Sequence, residues 1–204
     1  MPQEKLPNKK MGPREIARFF HQDGVFEIVA GAVLLNFGLD VYNQSDTTSL
    51  FAYLPIVVYN SIKNQVFFAR IDLKEFGIEG KKARMWSLSV LIGLIVALVA
   101  MSMLVLTNMV EEFPLPEFLY EGNLQALTAG VVIAVACIVA AMAIPLDRFL
   151  IYAGVAVVLG VASFFFLPAY VPVFGSAVAM LAWGINLTVK FRKAFPLPEK
   201  EENL

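Results

Sequence analysis

The feature that most constrains the fold is one acid inside a long apolar run near the start of the chain. Glu27 lies in the stretch Asp23–Asp40, where Gly24, Gly31 and Gly38 recur every seven residues. In a helix this spacing places the three glycines along one side, and Glu27 shares that side. A carboxylate facing lipid would cost at least about 2 kcal/mol. We therefore expect this glycine face to turn toward protein.

The composition identifies the class of protein. Hydrophobic residues make up 58% of the 204 residues, above the roughly 45–50% that is typical of soluble domains. Several apolar runs of about twenty residues match the ~30 Å hydrocarbon core of a bilayer. The runs are apolar on all sides, which argues against transmembrane strands. We predict an all-α fold, a polytopic transmembrane bundle of six helices. The predicted spans are Gly24–Val41, Ser49–Arg70, Met85–Asn108, Asn123–Ile144, Arg148–Leu167 and Tyr170–Phe191.

The charges predict the orientation of this bundle. All 16 Lys and Arg residues fall on one side of the six-span arrangement. The connections on the other side carry no basic residue and six acids, namely Asp40, Asp46, Glu111, Glu112, Glu117 and Glu121. Basic connections stay in the cytoplasm. We therefore predict a multi-pass protein of the cell (plasma) membrane with both termini cytoplasmic.

The chain divides into three parts on the same grounds. Residues 1–22 form a cytoplasmic tail and an interfacial amphipathic helix, with Pro13 in the first turn of that helix. Residues 23–192 form the six-helix transmembrane domain, and residues 193–204 form a second cytoplasmic tail. His21 belongs to the first part and is expected at the surface, with a pH-responsive role as the alternative.

The second predicted span carries a polar face near its cytoplasmic end. Asn60, Lys63 and Asn64 lie three and four residues apart, so they share one side of a helix. Glu27 enters the membrane from the same end, and a buried charge needs a partner. We predict that Glu27 pairs with Lys63 and that Asn60 or Asn64 completes its hydrogen bonds. With Asn186, expected to bond between helices, these residues form a predicted intramembrane polar cluster.

Small residues recur at intervals of three to four along the later spans, which lets helix backbones approach closely. We expect these ladders to serve packing within the chain, and self-association through an outward ladder is the alternative. The ladders are Ser89, Gly93 and Ala97 in the third span, Ala126, Gly130 and Ala134 in the fourth, Ala156 and Gly160 in the fifth, and Gly175, Ala179 and Ala182 in the sixth, continuing to Asn186.

A pentapeptide repeat raises the question of internal duplication. Phe-Pro-Leu-Pro-Glu occurs at Phe113–Glu117 and again at Phe195–Glu199, in each case closely after the third helix of a three-helix half. Halves with an odd number of helices have opposite orientations, as in the 3+3 inverted repeats of many transporters. The helices themselves show no clear residue-by-residue match. The other interpretation is that two Pro-rich loop segments share this sequence by coincidence.

Two segments resemble a known group of proteins. The start of the first span, Asp23-Gly24-x-x-Glu27-Ile28-x-x-Gly31, and the basic stretch Ala69–Phe76 are similar to those of an uncharacterised group of small bacterial six-helix membrane proteins. The resemblance covers about the first third of the chain. It implies a membrane bundle and no activity.

The sequence lacks the motifs of several kinds of metal, cofactor and catalytic site. The single Cys137 and the single His21 argue against a multi-cysteine metal site and bis-histidine haem ligation. No phosphate-binding glycine loop, zinc helix or nucleophile elbow is present. We therefore expect no cofactor, no metal site and no enzymatic activity.

Two functions remain open at this point. The first is a structural or partner-binding membrane subunit. The second is a small transporter or channel in which Glu27 responds to a proton or cation. The expected partners are membrane lipids and either a second copy or another membrane protein, without nucleic acid.

Overall fold

The computed structural model describes residues 13–43, 54–71, 123–143 and 146–197. The regular elements in these ranges are helices, and no strand occurs among them. The predicted all-α class is confirmed for this part of the chain. The helices are α1 (Pro13–Phe20), α2 (Val25–Tyr42), α3 (Leu54–Lys63), α4 (Leu124–Ala143), α5 (Arg148–Phe165) and α6 (Val171–Ala194), and a π-helical turn (Asn64–Phe68) follows α3.

Three helices, α4, α5 and α6, are long and apolar enough to cross a membrane. The 24 residues of α6 correspond to a length of about 36 Å, which exceeds the ~30 Å hydrocarbon core. The apolar part of α2, Val25–Leu39, is shorter. The start of the second predicted span and the whole third span, 85–108, lie outside the described residues.

Local signals explain where these helices begin. The Asp23 side chain accepts a hydrogen bond from Val25 N at 3.3 Å at the start of α2. The Asn123 side chain accepts one from Ala126 N at 3.1 Å at the start of α4. Both bonds satisfy an amide that has no partner within its own helix. In α6, Pro172 occupies the first turn, where its missing N–H costs nothing.

The contact between α4 and α5 is a close backbone approach. A Cβ atom on Gly130 would lie 2.7 Å from both Ala156 O and Gly160 Cα. The predicted small-residue ladders of these two spans therefore face each other, and their role in packing within the chain is confirmed. Ala126, buried completely, extends the same contact along α4.

The glycine face of α2 packs against α6. A Cβ atom on Gly31 would lie 3.0 Å from Ala177 O, and one on Gly38 would lie 3.3 Å from Phe174 Cα. Gly24 meets α6 one heptad earlier along the same face. The expectation that this face turns toward protein is confirmed, and the protein in question is the last helix.

The ladder predicted for the sixth span does not form one packing face. Gly175 faces α5, but Ala182 and Asn186 are exposed. The reason is that the close contact with α2 requires small residues on the facing side of α6. Ala177 and Gly184 are the small residues on that side, and they lie on a different side of the helix from Ala182.

The short helix α1 is docked onto the end of the bundle by aromatic side chains. Phe19 and Phe20 are buried, with ring centroids 5.7 and 4.9 Å from that of Phe67. Phe67 stacks on Phe191 of α6 at 5.6 Å, and Phe195 contacts Phe19 at 6.5 Å. The amphipathic helix predicted before the first span is thus present, and its apolar side contacts protein.

The described helices run in two opposite directions between two ends of the bundle. At one end α2 and α5 begin and α3, α4 and α6 finish, and we call it the charged end. At the other end the Tyr42 and Tyr170 rings meet at 5.1 Å, and Asn123 N donates to Phe164 O at 3.1 Å. These contacts make α2 antiparallel to α6, and α4 antiparallel to α5.

The α4–α5 approach gives a matched pair of substitutions. Gly130→Ala should lower stability by about 1–3 kcal/mol, because the new methyl group meets backbone atoms that cannot move aside separately. Gly154→Ala, on the same hairpin, meets nothing within 4 Å and should be neutral or stabilising by up to ~1 kcal/mol. Thermal unfolding in detergent measures both. Equal melting temperatures for the two variants would contradict the packing described here.

Candidate functional site: a buried ionic cluster

The turn His21–Gly24, between α1 and α2, carries the first acid of the site. Gly24 has a φ of +76°, a left-handed conformation that glycine adopts without strain. Its lack of a side chain also lets the chain approach Gly184 O. The turn leaves Asp23 at the beginning of α2, where unpaired amides and the helix dipole favour a negative charge.

Glu27 lies one turn further along α2. Both Asp23 and Glu27 are 0% exposed. A Cβ atom on Gly184 would lie 3.0 Å from Glu27 Cβ, so α6 has room for this acid only because it has a glycine there. In addition, Thr188 Oγ1 donates a hydrogen bond to Asp23 O at 2.7 Å. The last helix therefore fixes the position of both acids.

Two cations from other helices neutralise these acids. Lys63 Nζ at the end of α3 lies 2.7 Å from Asp23 Oδ2. Arg148 Nε at the start of α5 pairs with Glu27 Oε1. The Lys63 side chain is 2% exposed and that of Arg148 is 13% exposed. We call these four residues the ionic cluster, and its formal charge is zero.

The same cations bind the carbonyl of the last residue of α1 and that of the residue after it. Lys63 Nζ donates to Phe20 O, and Arg148 Nη2 donates to His21 O. The C-terminal end of a helix carries partial negative charge, so cations are favoured there. Lys63 Nζ also lies 4.2 Å from the centroid of the Phe20 ring and 4.9 Å from that of Phe67, where the ring faces attract a cation.

The sequence of α3 explains how a lysine reaches this position. Tyr59, Lys63 and Phe67 follow each other at four-residue intervals, and all three are buried. Lys63 therefore lies within an otherwise apolar stripe. The π-helical turn Asn64–Phe68 comes directly after it, and turns of this type are frequent at functional sites.

The structure brings two of the predicted site residues into one cluster, with different partners. Glu27 and Lys63 are both buried. Glu27 pairs with Arg148, however, and Lys63 pairs with Asp23. The predicted direct Glu27–Lys63 pair is thus replaced by two neighbouring pairs.

The three predicted asparagines lie outside this cluster. Asn60, Asn64 and Asn186 are at exposed positions. Asn60 follows the buried Tyr59, and Asn64 follows the buried Lys63, so each is rotated by about 100° from the buried stripe. The predicted shared polar side of Asn60, Lys63 and Asn64 is therefore divided, because Lys63 lies among the buried apolar residues and both asparagines are exposed.

Sequence reasoning missed Asp23 and Arg148 as members of the site. The sequence predicts Asp23 only as the start of the first apolar stretch and Arg148 only as the first residue of the fifth span. One signal for Asp23 was available, because it lies four residues before Glu27 and therefore on the same helical side. Arg148 had a weaker signal, as the one cation in the connection between the fourth and fifth spans.

His21 is buried, so its predicted surface position is wrong. It is 3% exposed, and its ring lies 5.5 Å from both Phe20 and Phe26 between centroids. Burial, together with the positive charges of Lys63 and Arg148, lowers the pKa of the His21 imidazole well below its usual value of 6.5. His21 is therefore neutral in the folded protein at pH 7.

The site leaves little room for a bound group. Among the described residues, no three His, Cys, Asp or Glu side chains are grouped so as to hold a metal ion. Beyond Glu27 toward the middle of the bundle lies a cavity of about 10 Å³, the size of about one water-sized probe. It is lined by Ala30, Leu34, Ile133, Ala136, Cys137, Phe149 and Met180.

Comparison with protein-family models, with curated proteins and with solved structures gives no match to this chain.

The two-pair arrangement predicts a pattern of coupling energies. Arg148→Met or Lys63→Met alone should destabilise the protein by about 3–5 kcal/mol, because each leaves a buried acid unpaired. Double-mutant cycles should give coupling of about 0.5–3 kcal/mol for Glu27→Gln with Arg148→Met. The cycle of Asp23→Asn with Lys63→Met should give coupling in the same range.

The matched control is the crossed cycle, Glu27→Gln with Lys63→Met. Its coupling should be smaller than that of either direct pair, since Lys63 pairs with Asp23. Unfolding measured in one detergent for all variants supplies these energies. Crossed coupling as large as the direct coupling would show that the pairs have been assigned wrongly.

The buried histidine predicts a dependence on pH. Below about pH 6.5 the unfolded chain protonates His21 while the folded protein does not, so acidification should reduce stability. The wild-type protein should lose up to about 1.4 kcal/mol per pH unit more than His21→Gln between pH 6.5 and pH 5. Thermal unfolding across this range tests the difference, since Asp23 and Glu27 are common to both proteins. Parallel curves would mean that His21 is not held neutral.

Proposed function

We propose that this protein is a six-span membrane protein that serves as a structural or partner-binding subunit. The observation that carries the proposal is the ionic cluster. Its charges are paired and sum to zero, and its contacts join α1, α2, α3, α5 and α6. An intramembrane acid used in this way holds helices in register and is not open to a solute.

The membrane placement that we propose has both termini in the cytoplasm and the charged end at the cytoplasmic face of the cell membrane. The distribution of cations supports it, because basic residues concentrate on the cytoplasmic side. Residues 1–22 and 193–204 are the cytoplasmic segments in this arrangement. The described basic side chains at the charged end are Arg18, Lys63, Arg70, Arg148, Lys190, Arg192 and Lys193.

We further propose that the protein is not an enzyme. A hydrolase or transferase in the membrane would need a nucleophile together with a free base. Asp23 and Glu27 are the buried acids at the charged end, and both are engaged with cations. His21 Nδ1 lacks a hydrogen-bond partner among the described residues, but its ring is enclosed by aromatic side chains.

A second candidate function is proton-coupled transport. Glu27 Oε2 and the Tyr152 hydroxyl are buried and have no hydrogen-bond partner within the described ranges. Tyr152 lies within electrostatic range of both Glu27 and Arg148. Proton uptake at Glu27 would remove its charge and release Arg148, which is the kind of event that a proton-responsive carrier uses.

One substitution separates the two candidates. Glu27→Gln keeps the shape of the side chain and removes its charge. For a structural role we expect a loss of about 3–5 kcal/mol in stability, with no solute or proton flux in reconstituted vesicles for either protein. Normal stability together with flux that is present in the wild type and absent in Glu27→Gln would establish transport instead. Thr128→Val, on α4 away from the cluster, is the control for general effects of substitution.

A further inference from the structure

The outer side of α6 carries a row of exposed apolar residues. Val178, Ala182, Ile185 and Val189 follow each other at intervals of four, three and four residues, so they lie on one side of the helix. All four are exposed. We call them the α6 outer strip. The next residue in this progression is Lys193, which is also exposed.

The length of the strip corresponds to one leaflet of a bilayer. Val178 and Val189 are eleven residues apart, which is about 16 Å along a helix. Half of the hydrocarbon core measures about 15 Å. A single acyl chain lying on the strip would therefore extend from the middle of the membrane to the charged end.

The strip leads directly into a group of cations. Lys190, Arg192 and Lys193 are exposed in the last two turns of α6. Phe191, between them, is buried against Phe67 and Phe195, which fixes the direction of this part of the helix. Lys190 and Lys193 lie three residues apart and so are neighbours on the helix surface.

We propose that the α6 outer strip and its terminal lysines bind an anionic phospholipid of the leaflet at the charged end. The acyl chain packs along Val178–Val189, and the phosphate contacts Lys190 and Lys193. The inference rests on the membrane placement of the proposed function and does not depend on whether the role is structural or in transport.

Charge argues against a second copy of the chain on this strip. A copy related by a twofold axis along the membrane normal would place Lys193 against its own equivalent. Like charges repel, whereas an anionic headgroup is attracted.

A tryptophan placed on the strip provides a direct probe of the lipid. Ile185 belongs to the strip and is 54% exposed, whereas Trp183 lies on another side of α6, with its ring 6.5 Å from that of Tyr152. Trp86→Phe, Trp183→Phe and Ile185→Trp together leave one tryptophan in the full-length chain, in the middle of the strip. The experiment measures quenching of its fluorescence in vesicles of phosphatidylcholine that contain a minor fraction of lipid with brominated acyl chains. The brominated lipid is either phosphatidylglycerol or phosphatidylcholine.

We expect brominated phosphatidylglycerol to quench the strip tryptophan at a several-fold lower mole fraction than brominated phosphatidylcholine. Lys190→Gln with Lys193→Gln should abolish this preference, because each lysine near the membrane surface contributes up to about a fivefold attraction for an anionic headgroup. The matched control, Lys9→Gln with Lys10→Gln, removes the same charge from the N-terminal tail and should keep the preference. Raised ionic strength should weaken it.

Three results would overturn the proposal, and they differ in what they imply. Equal quenching by the two lipids would mean that only bulk lipid covers the strip. No quenching by either lipid, in protein that floats with the vesicles, would mean that protein covers it. Protein that does not float with vesicles would instead overturn the membrane placement of the proposed function.

Discussion

The structure depends on the neutralisation of two carboxylates that have no access to water. An unpaired charge in a low-dielectric interior costs several kcal/mol even after relaxation, and Asp23 and Glu27 are both completely buried. Their partners come from the end of α3 and the start of α5. Any arrangement that separates these helix ends leaves two buried charges unpaired. The ion pairs thus specify that the end of α3 and the start of α5 meet the start of α2.

The ionic cluster can form only where helix backbones come unusually close. Gly184 lies against Glu27 and Ile28 N, and Gly24 lies against Gly184 O. A side chain at either glycine would push α6 away from α2 and would separate Thr188 from the carbonyl of Asp23. Close packing and charge pairing are therefore one requirement at this end of the bundle. Glycine costs conformational entropy in a helix, and here that cost is offset by the contacts it permits.

Much of the fold follows from the sequence because its causes are local or periodic. Apolar runs predicted the positions of α2, α4, α5 and α6, and heptad spacing predicted the packed side of α2. The Gly130–Gly160 contact follows from small residues four apart on neighbouring spans. The side of α6 that packs against α2 did not follow in this way. Its small residues occupy more than one side, and only the glycines of α2 determine which side is used.

The candidate site was predictable in part for a related reason. Burial of Glu27 follows from the cost of exposing a charge to lipid, and this expectation was confirmed. The identity of its partner depends on the distance between the ends of different helices. Residue spacing along one helix gives no information about that distance. Lys63 and Arg148 were both available by charge and depth. The contact of α6 with α2 and of α5 with α4 decides that Arg148 reaches Glu27.

The two cations of the cluster are not equivalent, and their chemistry fits their positions. The Arg148 guanidinium has several donors in a fixed plane, so it serves the Glu27 carboxylate and the His21 carbonyl together. The Lys63 ammonium is a compact charge that lies against the Phe20 and Phe67 rings while it binds Asp23 and the Phe20 carbonyl. Each cation therefore joins one acid at the start of α2 to one carbonyl at or just after the end of α1.

Because each cation binds both an acid and a carbonyl, the cluster also restricts how α2 can shift along its axis. A shift of α2 by one helical turn, about 5.4 Å, would break both acid pairs and would also release the α1 carbonyls. Compensation would be partial at most, because the acids lie one turn apart and the shift would present only one carboxylate to the two cations. The cluster thus favours a single register of α2 against α3 and α5. Replacing a buried ion pair by apolar residues of similar volume is often neutral or stabilising, so the role that these contacts support is the choice of register.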